Sequence, residues 1–390
     1  MSTIDIPGFE VLEKLGQGGM ATVWKARQVT LDRIVAVKVM HPGLGTDESD
    51  IERFRTEAQS AAKLKHPGIV QMYDANTMDD TYYFVMEFVA GYSVGDWIRR
   101  KTALTEEDAL SIGVCIADAL AYAWETQRIV HCDIKPDNVV IDADGTVKVV
   151  DLGLARSIRE LGAQQTDEIM GTPAYIAPEQ ALGARRLDFH ADMYSVGAMM
   201  YHMVTGRTMF DGGTDTEVLN SQVGQQVSDI FDLNQDVSEG FCWVLEKLLM
   251  KEQDNRYSTW EDLLADLDRV KEGLPPLAEP LPEGMSSMSR SEERTVETYR
   301  DLLDDVDADL FESEPDEDDV LEEQGAQRNM MMIVGAAAVG VVALIIVITL
   351  IVGGPDDPEK GQTTVTTTTV GSRSGSDSNK SASTSSNKSR

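Results

Sequence analysis

The stretch His131-Cys132-Asp133-Ile134-Lys135-Pro136-Asp137-Asn138 sets a carboxylate, an ammonium and a carboxamide at the spacing that phosphoryl transfer requires. Asp133 can accept the proton of an attacking hydroxyl, Lys135 can neutralise a phosphate in transfer, and Asn138 can hold a magnesium ion. Further along, Asp151-Leu152-Gly153 offers a second carboxylate for metal. Oxygen ligands of this kind suit a hard divalent cation.

Such groups need elements to hold them, and the chain supplies candidates in order. Leu15-Gly16-Gln17-Gly18-Gly19-Met20-Ala21-Thr22-Val23 lies between two apolar stretches, residues 9–15 and 22–27, which read as strands joined by a glycine hairpin. A dinucleotide fold would open a helix after such a run. Here another strand follows instead, residues 34–39, with Lys38 inside it. An ammonium in so apolar a strand is costly to bury unpaired, so it calls for anions nearby. Glu57 is the candidate partner, on a helix predicted from Ile51, Phe54, Ala58, Ala61 and Leu64 at helical spacing.

Together these segments resemble a protein kinase, whose catalytic loop usually reads His-Arg-Asp with four residues before the Asn. The resemblance extends to Gly171-Thr172-Pro173-Ala174-Tyr175-Ile176-Ala177-Pro178-Glu179, which is similar to the family's substrate-receiving segment. It implies an α+β, two-lobed fold with a small β-rich lobe and a larger helical one. It also implies ATP and Mg2+, the metal held by Asn138 and Asp151. Lys38 would contact the phosphates under the hold of Glu57, and Leu15, Gly16, Gly18 and Gly19 would cover them. Adenine would meet the hinge at Met86 and Glu87, between Val23 and Ala36 above and Val140 below. Asp192 would brace the catalytic loop, Arg256 would pair with Glu179, and Lys135 with Thr172 would favour serine and threonine over tyrosine. His131 would be a brace rather than an acid or base.

Three positions depart from the family's pattern, the first being Ala21 where the glycine loop keeps its third glycine. Cys132 stands where most relatives keep an arginine that binds a phosphothreonine of the activation loop, and a thiol cannot supply that bidentate cation. Phosphorylation at Thr166 is therefore expected to matter modestly, with control moved to the segment holding Thr295 and Thr298. The Cys132 thiol reads either as a packed neutral side chain or as a redox sensor, and neighbouring Asp133 disfavours its thiolate. Leu152 in place of phenylalanine still fills an apolar slot.

The chain has 390 residues and a net charge of −33, concentrated where carboxylates crowd residues 291–323. That balance argues against general nucleic-acid binding. Its three cysteines follow no metal or redox spacing, as a reducing cytosol allows, and its five histidines form no ligand set. Residues 9–270 read as the kinase-like domain. Residues 271–328 read as a juxtamembrane linker, proline-rich and then acidic, because Pro275, Pro276, Pro280 and Pro282 break any helix. Within it Val296, Tyr299, Leu302, Leu303, Val306 and Leu310 recur at three and four, as an amphipathic helix or as accidental periodicity in a disordered spacer.

Residues 330–352 are uncharged and apolar; as a helix they would span ~34 Å, enough for a hydrocarbon core of about 30 Å. One transmembrane helix is therefore expected over residues 329–352, with Ala336 and Gly340 leaving a small-xxx-small surface for pairing two copies. The start of the chain has no charged-then-apolar signal peptide, and ATP and reduced thiols place the kinase-like domain in the cytoplasm. The expectation is a single-pass protein of the cell membrane with an extracytoplasmic Ser/Thr-rich tail, residues 353–390. The overall resemblance is to the eukaryotic-like, Hanks-type transmembrane serine/threonine kinases of bacteria, acting on protein substrates. A catalytically silent scaffold and a membrane-tethered interaction protein are the competing readings, though the catalytic residues named above are all present.

Overall fold

The computed structural model describes residues 4–19, 21–41, 56, 58–78, 81–152, 172–282 and 284–290. All lie within the compact unit Met1–Ser313. Glu57, Thr166, Thr295 and Thr298, the acidic segment and residues 329–390 fall outside the described residues. Among the described residues no helix is long and apolar enough to cross a membrane.

Five strands form the first sheet: β1 (Phe9–Gln17), β2 (Ala21–Gln28), β3 (Arg33–Met40), β4 (Met72–Met78) and β5 (Thr81–Glu87), in the order β1-β2-β3-β5-β4. Every neighbouring pair is antiparallel. Successive side chains of a strand point to opposite faces. Val35, Val37 and Val39 of β3 accordingly pack with Tyr83 and Val85 on one face. Ala36 and Met40 pack with Phe84, Met86, Ala58 and Ala61 on the other. Lys38 shares the period of Ala36 and Met40, so alternation alone delivers its ammonium to the face that borders the cleft. Sequence reasoning missed β4, an edge strand whose Asp74, Asn76 and Thr77 blur the apolar pattern.

A second sheet, β6 (Gly91–Ser93), β7 (Val139–Asp142) and β8 (Val147–Val149), lies at the start of the helical half. Gly91 is obligatory there, because a Cβ would fall 1.8 Å from the Ile141 carbonyl oxygen of the paired strand. Besides the helical residues 58–62, which pack on the first sheet, the described helices are α1 (Val94–Lys101), α2 (Glu106–Gln127), α3 (Pro178–Ala181), α4 (Phe189–Thr205), α5 (Asp215–Gly224), α6 (Glu239–Leu248) and α7 (Trp260–Lys271). Ser93, Thr105, Asp188, Thr214, Ser238 and Thr259 cap six of their N-termini through side-chain oxygens. Helix α4 is buried almost all round and forms the centre of the larger core with α2, α6 and α7.

Helix α7 ends at Lys271, with Gly273 left-handed at φ 78 ahead of the prolines, and the chain beyond, read from composition as the start of the linker, lies against the helical lobe as far as Arg290. The amides of Leu277 and Ala278 donate to the buried Asp266 carboxylate at 2.6 and 3.2 Å. β10 (Met288–Ser289) pairs in parallel with β9 (Val227–Ser228), and Met288 enters the main core. Arg290 meets Glu246 at 2.8 Å and covers the Trp243 ring. Prolines forbid a helix but not packing, and composition could not distinguish the two.

Candidate active site

The loop between α2 and β7 carries His131 to Asn138. Its backbone is held from below by Asp192 of α4, whose two oxygens accept from the amides of His131 at 2.7 Å and Cys132 at 2.8 Å. Burial pushes the Asp192 carboxyl up, and His131 with the two amides opposes that shift. His131 bridges in turn: Nε2 lies 2.9 Å from the Val150 carbonyl oxygen, and Nδ1 accepts from the Asp133 amide at 3.2 Å. These partners make Nε2 the donor and Nδ1 the acceptor. Cys132, buried at φ 64, adopts the left-handed conformation, and Gln180 donates to its carbonyl at 2.8 Å. Asp151 is also left-handed, at φ 62. Strained backbone of this sort persists where surrounding contacts over-determine it.

The loop aims the Asp133 carboxylate with three donors. Lys135 Nζ lies 2.8 Å and Asn138 Nδ2 3.0 Å from Oδ2, while the Thr172 amide donates to Oδ1 at 3.3 Å. Asn138 Nδ2 also donates to the Asp133 carbonyl at 2.8 Å, which leaves its side-chain oxygen as the atom able to take a metal. Lys135 reaches Thr172 Oγ1 as well, at 2.9 Å. One ammonium therefore links the candidate base to the start of the segment predicted to receive a substrate.

Across a cleft of about 950 Å³, Lys38 Nζ stands 2.8 Å from Asp151 Oδ2, the two side chains 13% and 25% exposed. Burial raises the Asp151 carboxyl, but the Lys38 ammonium and its hydrogen bond outweigh this, so it sits below the usual carboxylate range. Leu15, Gly16, Gly18, Gly19, Val23, Ala36, Met86, Glu87 and Val140 all line this cleft. The Glu87 carboxylate is committed to Lys148 at 3.0 Å and to the Gln71 amide at 3.2 Å, and its own amide donates to the Gln71 carbonyl at 2.9 Å, so the main-chain carbonyl is what Glu87 can offer a ligand.

The glycines themselves bear on whether a phosphate fits. A Cβ at Gly16 or Gly19 would meet nothing within 4 Å, and neither glycine has the positive φ that favours the residue. Neither packing nor backbone conformation of the protein demands glycine at these two positions. The Gly18 amide is spent on the Ala21 carbonyl at 2.9 Å, but a glycine hairpin that lines one cleft with a lysine and two oxygen ligands is what a polyphosphate with its magnesium needs, and the residues fit that group.

Arg256 and Glu179 meet bidentately at 2.8 and 2.8 Å. The remaining Arg256 donors go to the carbonyls of Met250, His190 and Lys251, so all five N–H groups are used. Sequence reasoning missed Asp96, Arg99 and Asp137 at the cleft mouth, where Arg99 reaches Asp137 at 3.0 Å and Asp96 at 2.9 Å. An acid–base pair one helical turn apart is common on any exposed helix, and no motif marks it.

The family model described as protein kinase domain matches residues 9–266. The chain is 36% identical to serine/threonine-protein kinase PrkC of Bacillus subtilis over 259 residues, which is 66% of this chain and 40% of that protein. It is 37% identical to serine/threonine-protein kinase PknB of Mycobacterium tuberculosis over 276 residues, 69% of this chain and 44% of that protein. The match thus spans about two fifths of these relatives' length. Among solved structures, the Mycobacterium tuberculosis PknI kinase domain superposes with a TM-score of 0.56 at 24% identity, covering 69% of this chain and 98% of that one.

Proposed function

The chain belongs to the protein kinase family, and from that premise we propose that it is a serine/threonine protein kinase transferring the γ-phosphoryl group of magnesium-ATP to protein hydroxyls. The observation that carries this reading is the Asp133 carboxylate, held by Lys135, Asn138 and the Thr172 amide with its oxygens facing the cleft. Asp133 orients a substrate hydroxyl and takes its proton. Lys135, shared between Asp133 and Thr172, offsets charge on the group in transfer and keeps the hydroxyl-binding side in register. Lys38 holds the phosphates from the sheet side, and the glycine hairpin of residues 16–19 covers them. Val23, Ala36 and Val140 sandwich the adenine against the main chain of Met86 and Glu87. Magnesium, when bound, neutralises phosphate charge, and Asn138 with Asp151 are the residues that would hold it. Positioning and charge neutralisation then supply most of the rate.

A silent scaffold would lack one of these groups, and Lys38, Asp133, Asn138 and Asp151 are all in place. Phosphoamino-acid analysis of proteins labelled by the chain tests the specificity: phosphoserine and phosphothreonine are expected, and phosphotyrosine as the main product would overturn it.

The finer part of the proposal is a signalling kinase anchored by residues 329–352, its catalytic domain on the cytoplasmic side with the ATP, its tail outside, and its span able to pair two copies. The uncharged apolar run supports it. Protease added to intact cells should trim only residues beyond 353; degradation of the kinase domain would reverse the topology. Control is proposed to lie in the juxtamembrane segment that holds Thr295 and Thr298 rather than at Thr166, because Cys132 lacks the guanidinium for a phosphothreonine. A loss of roughly a hundredfold or more in Thr166→Ala, on the scale of about 3 kcal/mol, with no change on deleting residues 284–324, would return the switch to the activation loop.

A further inference from the structure

Gln222 of α5 is fully buried, yet every part of its amide is used. Nε2 donates to the carbonyls of Pro173 at 3.0 Å and Ala174 at 2.9 Å, and Oε1 accepts from the Tyr194 hydroxyl at 2.7 Å. Pro173–Tyr175 is a single 3-10 turn that stops at Tyr175. Carbonyls at the end of a turn have no following turn to donate to them. Gln222 supplies both donors from a different element.

The same hydrogen-bonded chain continues away from the cleft. The Tyr194 hydroxyl accepts from Lys251 Nζ at 3.2 Å, and the Lys251 amide donates to Ser287 Oγ at 2.9 Å. Burial and Arg256 pull the Lys251 ammonium down to about 8, as befits a lysine enclosed by Tyr194 and Phe210. A polar run thus ties residues packed behind the helical lobe to the two residues that follow Thr172. Thr172 in turn meets Asp133 and Lys135. Satisfied buried networks of this kind rigidify what they touch, and a missing member leaves its partners unpaired.

We propose that Gln222 is a positioning residue for phosphoryl transfer, fixing Pro173 and Ala174 so that the hydroxyl-bearing peptide is received in line with Asp133. It touches neither the base nor the cleft and acts through main-chain atoms alone. The proposal rests on the protein-kinase reading given above.

The test uses the full chain, magnesium-ATP and a degenerate serine/threonine peptide pool, followed by kinetics on its best-phosphorylated member. Gln222→Glu keeps the shape and the acceptor for Tyr194 but removes both donors. Gln222→Met removes all three hydrogen bonds at similar volume. Both should raise the peptide KM roughly tenfold or more while the ATP KM stays within about twofold. KM is independent of the fraction of enzyme that is folded, so a merely structural role would leave it unmoved. Tyr194→Phe, which spares both donors, should shift the peptide KM by no more than about threefold. A peptide KM within about twofold of the unaltered chain in whichever Gln222 variants fold overturns the assignment, as does an equal rise in both KM values. Absence of any transfer by the unaltered chain would instead overturn the kinase reading itself, and this inference with it.

Discussion

Lys38 and Asp151 are ion-paired at 2.8 Å, so the centre of the small sheet is joined directly to the second residue after β8. The ammonium that alternation places on the cleft face finds its anion in the candidate metal ligand. Lys38→Met should raise the Asp151 carboxyl, since burial then acts unopposed by its cation, and should lower kcat/KM for phosphoryl transfer by about 10²- to 10³-fold. Steady-state kinetics at saturating magnesium would check this. Turnover within a few-fold of the unaltered chain would remove Lys38 from the phosphate clamp.

Arg256 and Glu179 make the corresponding tie inside the helical lobe, with side chains 0% and 10% exposed. A buried pair is weak evidence for net stability, but breaking it leaves a charge behind. Arg256→Met should cost roughly 3–5 kcal/mol in denaturant unfolding. Glu179→Gln with Arg256→Met, which removes both charges, should recover part of that loss. A single mutant within about 0.5 kcal/mol of the unaltered protein would contradict the buried assignment.

The strap after α7 predicts where the folded domain stops. A chain ending at residue 270 loses the amides that donate to Asp266, the parallel pairing of Met288–Ser289, and the Arg290–Glu246 contact. Loss of Met288 burial alone is worth about 1.5–3 kcal/mol. A fragment ending at residue 290 should therefore melt distinctly higher than one ending at 270. Equal melting temperatures would make residues 274–290 a passive linker after all.

His202 gives a pH dependence with a definite sign. It is half-buried on α4, and its Nδ1 lies 2.6 Å from the Tyr175 hydroxyl. Burial lowers its folded-state pKa, opposed in part by Asp137. Above about 6.5, the unfolded value, neither state is protonated and the residue adds no pH dependence. As the pH falls below that point the unfolded chain binds the proton first, so stability declines until the folded-state pKa is passed. His202→Gln, which can still accept from Tyr175, should flatten the melting temperature between pH 6.5 and the acid limit of folding. Parallel curves for the two proteins would show that His202 does not titrate as its burial requires.

Much of this site is legible in the sequence because it is local or periodic. His131 to Asn138 lie on one loop, and Lys38 needs only strand alternation to reach the cleft. Gly16 and Gly19 signal function because nothing in their surroundings requires glycine. What the sequence hides is contact between distant segments whose residues carry no signature. Gln222 is an unremarkable polar residue in a helix until its amide is seen under Pro173 and Ala174. Pro275 to Arg290 read as a linker because turn-rich composition is shared by linkers and by straps that pack. The Lys38–Asp151 pair joins residues predicted for different roles, phosphate and metal, and only the fold shows that they also serve each other.

The central claim rests on Asp133, and the most direct measurement replaces it. Asp133→Asn keeps the shape of the side chain but cannot take a proton from the substrate hydroxyl. Transfer from magnesium-ATP to a serine/threonine peptide by the full chain should fall by about 10²-fold or more, while the ATP KM and the melting temperature stay close to those of the unaltered protein. Transfer by Asp133→Asn at the rate of the unaltered chain would contradict the account.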